Sequence, residues 1–180
     1  MTLTDVLAAA LCWFAAGLFT TAAFIKLRDF PAFTGFVAGY RLLPPSLVRP
    51  AGMLLVSLEV LAVVAVLLGE GLSALVPAGL LFTYGFAMSI NLLRGRRDID
   101  CGCGGTPMPI GWTLVLRNLV LGALVGWAVI ARTGPALLLL PVAGLALAAG
   151  AALVLGLLYA AFNQLEANRA THRRLWMVSA

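Results

Sequence analysis

Five apolar stretches, at about residues 5–25, 51–68, 72–93, 112–131 and 135–162, constrain this 180-residue chain more tightly than any motif it carries. A hydrocarbon core about 30 Å thick is crossed by roughly 20 residues of α-helix rising about 1.5 Å each, and every stretch comes near that length. Backbone inside lipid must satisfy its own hydrogen bonds, so all five are expected to be helical. Composition agrees. Hydrophobic residues make up 62% of the chain and charged residues 11%, whereas soluble domains carry about 25% charged residues. The mean hydropathy is +1.04. The expected fold is an all-α polytopic transmembrane helical bundle, set in the lipid bilayer of a cell (inner or cytoplasmic) membrane. Residues 1–132 make a four-span core, and 133–180 a fifth span with a basic C-terminal tail. The first stretch lacks a basic lead and carries Asp5, so it reads as a retained span rather than a cleaved signal peptide.

The basic residues are placed as a topology signal. Lys26, Arg28, Arg41 and Arg49 surround the first loop, Arg94, Arg96 and Arg97 follow the third span, and Arg169, Arg173 and Arg174 lie in the tail. In a five-span chain these fall on one side, and Arg132 stands on the other. Lys and Arg favour the cytoplasmic side, which puts the N-terminus outside and the C-terminus inside. The net charge of +5 has no basic reading face behind it, so nucleic acid is excluded as a partner. No Ser-His-Asp set, phosphate loop or paired catalytic carboxylates occur, which excludes the common hydrolase chemistries.

Two shorter patterns shape the loops. Asp29 followed by Pro31 resembles a helix start, and Phe30, Phe33, Phe36, Val37 and Tyr40 recur at helical spacing. An interfacial helix with its aromatic face in the headgroups is expected there, ending at Leu43, Pro44 and Pro45. In the fifth span Gly144, Ala148, Ala152, Gly156 and Ala160 recur every four residues. Such a stripe admits another helix closely, either within the bundle or in a homodimer.

The chemistry concentrates at Cys101-Gly102-Cys103, where the third span has ended. A disulfide across one residue closes a small ring, and Gly102 allows the unusual backbone angles this needs. Strained disulfides exchange readily. Arg94, Arg96 and Arg97 favour thiolate, while Asp98 and Asp100 oppose it. Zinc wants four ligands, and the chain has three cysteines and the remote His172, whereas two thiolates suit Cu(I). A soft-metal site and a structural loop with incidental thiols therefore stand beside the redox reading. Cys12 reads as a small buried residue.

Several polar residues fall inside the spans on the side of that loop. Glu59 and Arg117 are expected to meet as an ion pair, with Asn91, Asn118 and Lys26 in the same polar pocket. Ionisable groups in a membrane face the bundle interior or a wet cavity. Such a pocket either pins helices together, tunes the thiols or seats a small redox ligand such as a quinone.

The stretch running from Asn91 through Arg94, Arg96, Arg97, Asp98 and Asp100 to Cys101, Cys103 and Gly104 closely resembles the signature of the MauE family of methylamine-utilisation membrane proteins, within a wider DoxX-like group. Lys26-Leu27, the run from Tyr40 to Pro44, Glu59 and Arg117-Asn118 support the match, which covers roughly residues 10–125. One departure is Gly104, where the family often has an aromatic residue. The resemblance implies a redox-associated accessory protein, with Cys101 and Cys103 as a thiol–disulfide oxidoreductase pair. It would serve disulfide formation or cofactor maturation in a methylamine dehydrogenase-type protein, together with a thioredoxin-like partner. That role lies outside the cytoplasm, whereas the charge bias places the thiols inside. Either the arginines beside the thiols mislead the topology rule, or electrons are exchanged with a cytoplasmic donor.

Overall fold

The computed structural model describes residues 2–68, 72–102, 108–131 and 141–179. Its helices are α1 (Leu3–Arg28), α2 (Phe30–Gly39), α3 (Pro45–Leu68), α4 (Val76–Leu93), α5 (Trp112–Ala131) and α6 (Val142–Ser179), with a 3₁₀ turn at Leu72–Leu75 before α4. Among the described residues the extended pairing is a single bridge between Asp100 and Pro109. Five of the helices are long and apolar enough to cross a membrane, and α2 is a shorter apolar helix. The all-α multi-pass bundle expected from the sequence is what forms.

Local chemistry sets the helix ends. Thr2 and Asp5 make a reciprocal capping box at α1: the Asp5 N–H donates to Thr2 Oγ1 at 3.2 Å, and the Thr2 N–H donates to Asp5 Oδ2 at 2.8 Å. Lys26 and Arg28 occupy the last turn of α1, where cations oppose the helix dipole. Asp29 caps α2 as expected, accepting from the Ala32 N–H at 3.0 Å. The end of α2 differs from expectation. The helix stops at Gly39, before the prolines, because the chain turns at Arg41, whose φ of +49° is left-handed. Pro45 instead opens α3, where its missing N–H costs nothing.

The fifth span also differs. Residues 132–140, where it was expected to begin, lie outside the described residues. From Val142 the helix runs on through the expected tail to Ser179. Gln, Leu, Glu, Ala and Arg between 164 and 169 are strong helix formers, and an Arg169–Glu166 ion pair at 2.7 Å supports that turn.

Helix α1 is the hub of the bundle, packed against α3, α5 and α6, while α4 packs on α5 and α3. Ala148 of α6 is fully buried in a cluster with Ala8, Ala9, Cys12, Val66 and Ala128. The small-residue stripe is therefore used inside the bundle at this point. Cys12 belongs to that cluster, as a buried thiol. Close approach of α4 and α5 depends on Gly122, where an added Cβ would come within 3.1 Å of the Phe82 ring.

Alternating helix directions bring the end of α1, the start of α3, the end of α4, the start of α5 and the end of α6 to one end of the bundle. Contacts between distant segments close that end: Tyr40 with Cys101, Arg96 with Gly39, and Thr113 with Glu166. The candidate site lies here.

Candidate functional site

The loop carrying Cys101 is held from three directions. Ladder-like hydrogen bonds join Cys101 N–H to the Met108 carbonyl and Ile110 N–H to the Ile99 carbonyl, both at 2.9 Å. The Asp100 carboxylate reaches across, accepting from the Gly102 N–H at 2.8 Å and from the Met108 N–H at 2.9 Å. From α2, the Tyr40 hydroxyl donates to the Cys101 carbonyl at 3.1 Å. Burial, then the nearby Asp100 charge, push the Tyr40 phenol above its ordinary range, so it stays a donor. Gly102 takes the left-handed conformation its sequence position suggested, φ +67°, and an added Cβ would lie 3.2 Å from the Phe36 Cβ. Cys101 is disulfide-bonded. Cys103 lies outside the described residues.

Two of the arginines beside this loop, Arg94 and Arg96, bind backbone carbonyls. Arg96 donates to the carbonyls of Gly39 at 2.8 Å and Tyr40 at 3.1 Å, and to Asn91 Oδ1 at 2.8 Å. Its planar fork thus ties the end of α2 to the end of α4. Arg94 donates to the Arg41 carbonyl at 3.4 Å. Asn91, fully buried, orients Arg96 through its side-chain oxygen and gives its amide to the Ala87 carbonyl at 3.2 Å. It is a support for the loop, and it does not join Glu59.

Deeper in the bundle, Glu59 is fully buried and Lys26 is 4% exposed. They form an ion pair through Glu59 Oε1. The same oxygen accepts from the Tyr84 hydroxyl at 2.7 Å, and Lys26 Nζ donates to the Tyr84 oxygen at 3.3 Å. The ammonium also lies 5.0 Å from the centre of the Phe33 ring and 4.8 Å from that of Tyr84, within cation–π range. Glu59 Oε2 is buried without a hydrogen-bond partner among the described residues.

This arrangement corrects the expected Glu59–Arg117 pair. Helix α3 starts at Pro45, six residues earlier than the apolar stretch suggested, so Glu59 lies roughly 21 Å along it. Arg117 sits near the start of α5 and faces α6, donating to Asn163 Oδ1 and lying 5.0 Å from the centre of the Tyr159 ring. Asn118 is buried nearby, its amide nitrogen without a partner among the described residues. The expected polar pocket is thus divided: Lys26 and Glu59 stay together, Asn91 supports Arg96, Arg117 faces α6, and Asn118 is buried apart from Glu59's hydrogen bonds.

Between the loop and the Lys26–Glu59–Tyr84 cluster lies a cavity of about 300 Å³. Lys26 and Tyr84 line it, as do Cys101 and Gly102, and its remaining walls are chiefly apolar. Phe36, Leu42, Leu43 and Leu54 belong to the lining and are also exposed on the outside of the bundle. Among the described residues no group of three or more His, Cys, Asp or Glu converges as a metal site.

Tyr84 and the Arg96–Tyr40 link escaped sequence reasoning. A tyrosine in the apolar α4, with Leu80, Leu81, Ala87 and Met88 one turn away, was the available signal. Its hydroxyl needs a partner when buried.

Residues 4–131 match the family model described as methylamine utilisation protein MauE. The chain is 42% identical over 115 residues to the methylamine utilization protein MauE of Paracoccus denitrificans, covering 62% of each chain. It is 36% identical over 172 residues to that of Methylophilus methylotrophus, covering 90% of this chain and 87% of the relative. To that of Paracoccus versutus it is 41% identical over 116 residues, covering 62% of each. The chain thus spans a little under two thirds of the length of the Paracoccus relatives. No solved structure matches it.

Proposed function

Since this chain belongs to the MauE family, we propose that it is a membrane-embedded thiol–disulfide accessory protein acting in methylamine utilisation, with Cys101 and Cys103 as its working pair. The pair cycles between dithiol and disulfide. It supports disulfide formation or cofactor maturation in a methylamine dehydrogenase-type protein, and a thioredoxin-like protein is its exchange partner. The family model covers residues 4–131, which supports treating the four-span core as the unit that carries the thiol chemistry.

One observation carries this reading: Cys101 sits on a loop whose backbone is fixed by Asp100, Tyr40 and the left-handed Gly102. Fixing the backbone around a cysteine lowers the entropy lost in closing a bond to a neighbour one residue away. The charge distribution supports an N-terminus outside and a thiol loop facing the cytoplasm. The stripe at Gly144, Ala148, Ala152 and Gly156 needs no second copy, since Ala148 is already covered by α1 and its neighbours.

The test is trapping. With Cys103→Ser, Cys101 can attack a partner disulfide, releasing the partner's other thiolate, and no second thiol of this loop completes the exchange. A mixed disulfide with a thioredoxin-fold protein should be caught by acid quenching and alkylation and identified by mass spectrometry. The Cys101→Ser, Cys103→Ser double variant should trap nothing. Equal trapping by that double variant, or normal maturation of the partner in its presence, would remove the proposal.

A further inference from the structure

Lys26 has one more N–H than its hydrogen bonds use. An ammonium has three N–H donors. Among the described residues its hydrogen-bond acceptors are two, Glu59 Oε1 and the Tyr84 oxygen. Lys26 is 4% exposed and lines the cavity, whose walls near it are chiefly apolar. The Phe33 and Tyr84 ring faces meet part of the remaining charge, and a carbonyl oxygen entering the cavity would give the third N–H an acceptor. The Tyr84 hydroxyl, which donates to Glu59 and accepts from Lys26, holds the ammonium at this wall of the cavity.

The rest of the cavity describes the molecule that would bring that acceptor. Its volume of about 300 Å³ is at the low end for small-ligand sites, roughly 300–1,000 Å³. Leu42, Leu43 and Leu54 line it while also facing outward, and Leu54 lies within the membrane-spanning α3. The opening therefore meets hydrocarbon, and a ligand dissolved in the bilayer reaches it laterally. Cys101 and Gly102 line the same cavity.

We infer that the cavity binds the head of a lipid-soluble quinone, one carbonyl accepting from Lys26 beside Tyr84, and that this quinone is the oxidant of the thiol pair. The inference rests on the redox reading of Cys101 and Cys103. The step balances. The two thiols lose two electrons and two protons as the S–S bond forms, and the quinone takes up both electrons and both protons, its two carbonyls becoming hydroxyls. Glu59, behind Lys26, balances the ammonium charge and holds it at the carbonyl end. A lipid ester carbonyl would satisfy the same N–H, but it would not accept electrons from the thiols.

The test uses the full chain in detergent micelles, reduced and freed of reductant under anaerobic conditions. Decylubiquinone is added in one arm and glutathione disulfide in the other, and thiol loss is followed alongside quinone absorbance. One quinone should be reduced for each pair of thiols lost. Lys26→Met breaks the buried ion pair, so two milder variants probe the cavity: Tyr84→Phe removes a hydroxyl, and Ala87→Leu fills space beside it. Each should slow oxidation by the quinone about tenfold relative to oxidation by glutathione disulfide. Thiols oxidised by glutathione disulfide but not by the quinone would overturn the inference and leave the proposed function standing. So would a quinone reaction that neither variant changes. Thiols that neither oxidant touches would overturn both.

Discussion

Lys26 and Glu59 show how a polar residue in a span is decided by its neighbours. Each is an expensive group in lipid, and each becomes tolerable because the other is there with Tyr84 beside it. Lys26→Met should lower stability by about 3–5 kcal/mol, since it strands a buried carboxylate. The double change Lys26→Met, Glu59→Leu should recover most of that loss, as thermal unfolding in detergent would register. If the double variant is no more stable than the single one, the ion pair is not what makes the single change harmful. Gly102 gives a second prediction. Alanine there must adopt a φ near +67° and place its Cβ against Phe36, so Gly102→Ala should cost about 1–2 kcal/mol. It should loosen the loop, read as faster amide hydrogen exchange at Cys101 and Met108. That Lys26, Glu59 and Gly102 are special was legible in the sequence from residue type alone. That Glu59 pairs with Lys26 rather than Arg117 was not. It depends on where α3 begins and which way each helix is rotated, and an apolar stretch records neither.

At the scale of elements, helix existence was legible and helix ends were not. Hydrophobic length marks a span well, but Pro45 opens α3 before its apolar stretch starts, and α6 continues for a helical reason after its apolar stretch ends. The end of α2 depended on the turn at Arg41 rather than on the prolines. Arg96 is instructive in the same way. Beside two cysteines it reads as a thiolate partner, yet its fork is engaged by Gly39, Tyr40 and Asn91, joining α2 to α4. Contact of α6 with α1 depends on small side chains. Ala148→Leu places extra methylenes in a filled site and should destabilise by about 1–3 kcal/mol. Leucine at exposed Ala149, one position on, should be near neutral. Equal melting temperatures for the two variants would mean that α6 is not seated on α1 through Ala148.

The whole molecule is a bundle with an open-sided cavity at one end, lined at its inner wall by Lys26 and Tyr84 and elsewhere by Cys101. Its multi-pass character follows from five apolar helices and its family from the match over residues 4–131. The cavity itself was legible only in part, because it is formed by α1, α2, α3, α4 and the loop together. No single segment carries its shape. The proposed redox role makes one demand above all: Cys101 and Cys103 must change state together. The direct measurement is labelling of the Cys12→Ser variant in cells with a membrane-impermeant maleimide, before and after reduction and with or without permeabilisation, counted by intact mass. The account predicts labels added in pairs, only after permeabilisation, and only once a reductant has opened the disulfide. Labelling of one thiol without the other, or of both regardless of reductant, would contradict it.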